Sequence, residues 1–276
     1  ETIPVEQEAA LQALGYQTNF VFPNIEETED PRLKIDVLKE LHGAEQQAPE
    51  VAIKRLRKLI QREPMLLDAR LSLAYTLSAD EQYEKALEEV VEVLRINPNH
   101  STALNNAVIL SHQLKHYEMS IQFAETMIDA NANDVRPYRY LAAIFAEKEE
   151  PSQVIQVTDL GLEIEPNDPN LNYLKGLAHV FTDQFEEAIP HFVAAKDNDS
   201  RANDIHLWMG VSYEQIGDID AAVQSYELAS SDLPVDPRPY ARAGLMLANS
   251  GRCEEARKYL LNVIGRWGQQ DPTLQS

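Results

Sequence analysis

One interval governs this chain: proline, glycine and alanine recur along it at multiples of 34 residues. Pro64, Pro98, Pro166 and Pro234 stand 34, 68 and 68 residues apart. Gly176, Gly210 and Gly244 keep the single step, as do Gly217 and Gly251. So do Ala52 and Ala86, and then Ala188, Ala222 and Ala256. A fixed period of this length marks stacked supersecondary units, each too small to bury its own apolar face without a neighbour. Aligned on it, the chain divides without insertion or deletion into units at 67–100, 101–134, 135–168, 169–202, 203–236 and 237–270, with a degenerate one at 33–66.

Each unit reads as two amphipathic helices. In 203–236 the first runs through Ile205 to Tyr213, Gly217-Asp218 breaks it, the second runs through Ala221 to Ala229, and Pro234 ends it. Small residues sit where the helices must approach closely: at the eighth position of a unit (Ala74, Ala142, Gly176, Gly210, Gly244) and at the twentieth. The seventeenth is a bulky plug in most units (Tyr83, Tyr117, Phe185, Ile219), and Cys253 in that slot reads as a small buried hydrophobe. The pattern predicts fourteen helices in seven pairs and no sheet. Pro190 falls inside a second helix and removes a backbone donor, so that helix is expected to bend or start late.

These spaced positions together resemble the tetratricopeptide repeat (TPR), over about residues 33–270. Unit 203–236 fits best, with Gly210, Tyr213, Gly217, Ala222, Tyr226, Ala229 and Pro234 in the family's slots. The resemblance implies an all-α TPR solenoid, a right-handed superhelix of about seven repeats, acting as a non-catalytic protein–protein interaction scaffold. Departures occur at the fourth position, often Trp in the family, which is Arg70, Leu104, Tyr138, Asn172, His206 and Tyr240 here. Ser120 and Val154 also replace the small Ala, Ala132 and Ser200 replace Pro, and Gly161 stands at a packing slot. These put local packing in question and leave the fold.

The charge balance narrows the partners. Lys plus Arg number 24 against 45 Asp plus Glu, a formal charge of −21, which repels phosphate backbones and anionic lipid. Nucleic acid and membrane surfaces are therefore excluded as general partners, and no apolar run approaches the ~20 residues of a membrane span. The opening at Glu1 has no charged-then-apolar leader, so a signal peptide is expected to be absent or removed and the chain to be a fragment or mature form. Residues 5–14 read as a helix stopped by Gly15, and residues 1–32 as an acidic connector; 1–50 hold 11 acidic and 3 basic residues. Residues 271–276 form a tail. Leu11-Gln12-Ala13-Leu14-Gly15-Tyr16 and Asp30-Pro31-Arg32-Leu33-Lys34-Ile35-Asp36 resemble the junction between catalytic domain and TPR tail in some bacterial secreted sulfatases. That resemblance implies the alternative of an accessory docking or oligomerisation tail of a larger hydrolase, in a bacterial periplasm. The family's nucleophile motif, Cys or Ser followed by x-Pro-x-Arg, does not occur.

Motifs for phosphate loops, dinucleotide binding, nucleophile elbows and zinc proteases are missing from the sequence, and no cofactor or metal is expected. His112 and His116 share a helical spacing, but the pair reads as a helix end and the turn before Tyr117 rather than as metal ligands. Pairs such as Glu88-Glu89, Glu149-Glu150 and Glu254-Glu255 read as solvated helix faces.

What remains is surface. In stacked helical pairs the first helices line the concave side, and positions 2, 5, 6, 9, 12 and 13 of a unit share one face. That face collects Asn106, Arg136, Arg139, Tyr140, Tyr173, Leu177, Trp208 and Arg242, with Tyr75, Asn105, Arg238 and Leu245 beside them. Arginine and aromatic residues are what binding hot spots favour, so these eight are the candidate partner-binding residues for an extended peptide. The arginines suggest an acidic or carboxylate-terminated segment. The chaperone-binding TPR clamp is matched at only two of five slots, by Asn106 and Arg136. Leu71, Tyr75 and Tyr140 fill the others, which disfavours a chaperone-tail receptor.

Overall fold

The computed structural model describes residues 31–198 and 202–267. Among them are fourteen helices and no strand. They are α1 Pro31–Glu45, α2 Pro49–Arg62, α3 Leu67–Ala79, α4 Tyr83–Ile96, α5 Ser101–Gln113, α6 Tyr117–Ala130 and α7 Arg136–Glu147. Then follow α8 Pro151–Ile164, α9 Pro169–Phe181, α10 Phe185–Asp197, α11 Ile205–Ile216, α12 Ile219–Asp232, α13 Arg238–Asn249 and α14 Cys253–Trp267. The helix expected over 5–14 and the tail at 271–276 lie outside the described residues.

The seven second helices begin at Pro49, Tyr83, Tyr117, Pro151, Phe185, Ile219 and Cys253, one period apart each time. A backbone device sets that register. The residue two before each of the last six starts is left-handed: Glu81, Lys115, Glu149 and Asp183 at φ 57–59°, Gly217 and Gly251 at φ 83°. The next residue donates its N–H five positions back, as in Gln82 to Leu77 (2.8 Å), His116 to Ser111 (2.8 Å) and Asp218 to Tyr213 (3.0 Å). This is the Schellman closure of a helix C-terminus, and it satisfies carbonyls that would otherwise be orphaned. Starts are assisted by proline in the first turn of α2, α8, α9 and α13, and by Asp168 and Asp218, which accept from Leu171 N and Ala221 N.

Contacts divide the molecule into two compact units, one running to Ile144 and the other from Phe145. The core of the first is aliphatic, with Leu56, Leu59, Leu73, Leu77, Val90 and Val93 buried to 1% exposure or less. The second is built around two aromatic rings. Phe192 packs with Val180, Ala188, Ala195, Ile205 and Met209; Tyr226 packs with Leu207, Ala222, Ala229, Ala243 and Leu247. Within each unit the first helices of successive pairs touch: α1 with α3, α9 with α11, and α11 with α13. The candidate residues lie on first helices, α5 and α7 in the first unit and α9, α11 and α13 in the second.

One local expectation is corrected, and one of the two outcomes expected at Pro190 is excluded. Cys253, the first residue of α14, is exposed rather than buried. The helix around Pro190 does not start late: α10 begins at Phe185, in register with its equivalents, and runs through the proline. Pro190 sits in the second turn, where its missing N–H costs only one intrahelical bond.

Three of the six fourth-position departures are accommodated in pairs across the two helices. Arg70 bonds Glu89 at 2.9 Å, and Asn172 accepts from His191 at 3.0 Å while donating to the Pro166 and Asp168 carbonyls. Tyr240 lies against Tyr259, centroids 6.1 Å apart. In each case the partner stands 19 residues further on, across the pair. Ser120, in the small-residue slot, donates its hydroxyl to the Val108 carbonyl at 2.9 Å.

Candidate functional site

In the first unit the candidate residues come from α5 and α7. Tyr140 is buried, and its hydroxyl donates to Asn105 Oδ1 at 2.7 Å, tying the two helices together. Burial pushes that hydroxyl up to about 12, so it remains a donor at any physiological pH. Asn106, the residue matching the amide of the chaperone clamp, is only 3% exposed, and its Nδ2 has no acceptor. Both therefore lie beneath the face rather than on it. Arg136 is half-exposed, but its guanidinium forks onto Asp134, Nε to Oδ1 at 2.9 Å and Nη2 to Oδ2 at 2.5 Å, while the same carboxylate accepts the Arg136 backbone N–H. Arg139 is part-buried on the same helix.

In the second unit the residues come from α9, α11 and α13. Tyr173 and Leu177 are half-buried one turn apart, and Phe181 follows one turn later with 66% of its surface exposed. Its ring meets Trp208 edge-on, centroids 5.7 Å apart. Tyr173 and Trp208 both donate to the carboxylate of Asp204, the hydroxyl at 2.8 Å and the indole N–H at 3.0 Å. Burial first, then the charge of Asp204, push the Tyr173 hydroxyl far above its ordinary range. Arg242 bonds Glu214 at 2.9 Å, and the Tyr226 hydroxyl donates to the same carboxylate. Arg238 is likewise paired with Asp236, at 2.7 Å.

The face is thus not the bare cationic stripe that the arginines suggested. Arg136, Arg238 and Arg242 are each held by a carboxylate of their own chain. Sequence reasoning missed Phe181 and Asp204. Phe181 was recoverable as the third member of a Tyr173, Leu177, Phe181 row at four-residue spacing. The paired acids were recoverable too, since Asp134 and Asp236 both end a unit and precede an arginine by two residues. Among the described residues no three His, Cys, Asp or Glu side chains gather as metal ligands, and no helix is long and apolar enough to cross a membrane. His112 lies in the last turn of α5 with its ring 5.9 Å from that of Tyr117, and His116 is the N-cap residue of α6.

Residues 173–237 match the tetratricopeptide repeat family model. The chain is similar to Tetratricopeptide repeat protein 8 of Caenorhabditis elegans, 23% identical over 209 residues covering 75% of this chain and 41% of that protein. It is also similar to the peroxisomal targeting signal receptor of Saccharomyces cerevisiae, 25% identical over 198 residues covering 71% of this chain and 28% of the receptor. It therefore spans less than half the length of these curated relatives. Among solved structures, YrrB, described as a TPR protein with an unusual peptide-binding site, aligns with a TM-score of 0.55 at 17% identity, covering 71% of this chain and 97% of that one. The chain has the all-α fold of the tetratricopeptide repeat solenoids, and the repeat itself is matched at residues 173–237. That fold is one of protein–protein interaction scaffolds.

Proposed function

We propose that this chain is a non-catalytic interaction module that holds an extended segment of a partner protein along its first-helix face. The observation that carries the reading is the Phe181–Trp208 pair: a first helix leaves a large aromatic side chain two-thirds exposed against a second aromatic ring. Exposed aromatic surface of this kind is the desolvation energy of a binding hot spot. Leu245, on the neighbouring α13, is also exposed, at 57%. The peptide-binding site named for YrrB fits the same reading. The accessory-tail alternative rests on residues 11–16, which lie outside the described residues, and on 30–36, of which 31–36 open α1.

The test uses the full chain as bait, with bound proteins identified and their contact segments mapped by peptide scanning. Phe181→Ala and Trp208→Ala should weaken capture about tenfold or more, the loss expected of a hot-spot aromatic. Leu228→Ala, on the second helix α12 and 46% exposed, should leave it unchanged. The opposite pattern would place the interface on the second helices and reject the first-helix face.

A further inference from the structure

Asp204 is the N-cap residue of α11, yet its carboxylate does not cap that helix. Both oxygens turn instead to the aromatic side chains of the first-helix face, one to the Tyr173 hydroxyl and one to the Trp208 indole. An ionised carboxylate has about four lone-pair positions, so two neutral donors orient it without filling it and without neutralising it. Among the described residues no lysine, arginine or histidine forms an ion pair with Asp204. Arg238, which feels its charge, is bonded to Asp236. A negative charge therefore stands at the indole N–H of Trp208, whose ring meets the exposed ring of Phe181.

This is the chemistry of a cation site. The carboxylate supplies the charge, and an aromatic ring attracts an ammonium or guanidinium placed within about 6 Å of its centre. The surrounding field has the same sign: residues 145–276 hold 22 acidic and 10 basic residues, within a chain of net charge −21. A basic segment is drawn in by that field, whereas an acidic one has to approach Asp204 against it.

We propose that Asp204, Trp208 and Phe181 form a subsite for a lysine or arginine side chain of the bound segment, so that the partner is a basic extended peptide. The proposal deepens the interaction reading above and rests on it. It also reverses the charge preference that the arginine count suggested, because those arginines are internally paired while Asp204 is not.

The test is a selection from a random 12-residue peptide library, run in parallel on the full chain and on Asp204→Asn, which keeps an acceptor for the aromatic donors and removes the charge. The full chain should enrich Lys and Arg, and the variant should lose that bias and bind the recovered peptides about tenfold more weakly. Phe181→Ala, whose side chain is largely in solvent, should also weaken them and keeps the test decisive if Asp204→Asn melts early. Enrichment of Asp and Glu, or an unchanged Lys and Arg bias in both variants, overturns the cation subsite while leaving an interaction module. Recovery of no peptide at all counts against the interaction reading itself, and the subsite falls with it.

Discussion

A side-chain carbon added to Gly210 would lie 2.6 Å from the ring of Tyr226, closer than packed atoms ever stand. The same holds for Gly176 against Phe192 (2.7 Å) and Gly244 against Leu260 (2.8 Å), so three consecutive pairs of the second unit trade volume across one contact. Where the eighth position is larger the opposing one is smaller, as with Val108 and Ala124, both fully buried. The space between the two helices is conserved, and the residues divide it differently.

Gly210→Ala should therefore cost about 1–3 kcal/mol, because a buried ring has to leave its place. Tyr226→Val should cost about 3–4 kcal/mol through the cavity and the lost bond to Glu214. In the Tyr226→Val background, however, Gly210→Ala should be neutral or stabilising. Urea denaturation of the four proteins reads the coupling, and simple additivity would show that the contact does not limit packing.

The left-handed turn residues predict the reverse for glycine. Lys115 and Glu149 hold φ 59° and 57°, a region that costs a side-chain-bearing residue roughly 1–2 kcal/mol. Lys115→Gly and Glu149→Gly should each raise stability by about 0.5–1 kcal/mol, the relief of strain less the added entropy of the unfolded chain. Gly217→Ala should lower it by about 1 kcal/mol from backbone strain alone, since a Cβ there meets nothing within 4 Å. Thermal melting of the three variants checks both signs.

Those turns also show where the sequence stopped being legible. The period was plain in Pro, Gly and Ala, and the fourteen helices it predicts are present among the described residues. Glu81, Lys115, Glu149 and Asp183 carry no glycine signal, because the closing bonds are made by backbone and tolerate an ordinary residue at modest cost. The fourth-position departures looked like weak packing because each was read alone. Arg70 and Asn172 make sense only beside Glu89 and His191, and a pairing between helices is invisible in a linear pattern. For the candidate face, position was readable and charge state was not. Arg136 and Arg238 counted as cations until the acid two residues earlier was seen to fork onto each. Cys253 stands in the expected slot at the start of the last helix, but its side chain is exposed.

His191 gives the fold a pH dependence. Its ring stacks on His179, centroids 5.5 Å apart and planes within 5°, and its Nδ1–H donates to Asn172, whose own amide N–H groups are already engaged. Burial, then the charges of Lys175 and His179, lower its pKa to about 4, with Asp159 acting the other way. A depressed base is neutral in the native state and takes its proton on unfolding. Its contribution is therefore present above about pH 6.5 and is lost as pH falls towards 4. Discounted for the solvent around a partly exposed ring, the loss should be about 1–2 kcal/mol. Comparing denaturation of the native chain and His191→Gln across that range isolates it from the carboxylates. Parallel curves would remove His191 as the cause.

The Asp134–Arg136 fork decides what the first unit's face presents to a ligand. Burial alone would raise the Asp134 carboxyl, but the hydrogen bonds and charge of Arg136 more than offset it and hold the group below the usual carboxylate range. A depressed acid stabilises the fold above its unfolded pKa and loses that contribution as pH falls through the lower, folded value. Asp134→Asn should remove it at neutral pH, lowering stability by about 1 kcal/mol, the net worth of a charge-assisted bond at a half-exposed site. The same change frees the Arg136 guanidinium. A glutamate-rich 12-residue peptide, weak on the native chain, should then associate about two- to fivefold faster at low salt, with the gain shrinking at physiological ionic strength, where exposed charges are screened over about 8 Å. Arg136→Glu in the native background should change that rate less than Arg136→Glu added to Asp134→Asn. Stopped-flow association with the labelled peptide distinguishes the cases. Equal effects of Arg136→Glu in both backgrounds would mean that Asp134 does not mask the arginine and that the face was cationic from the start.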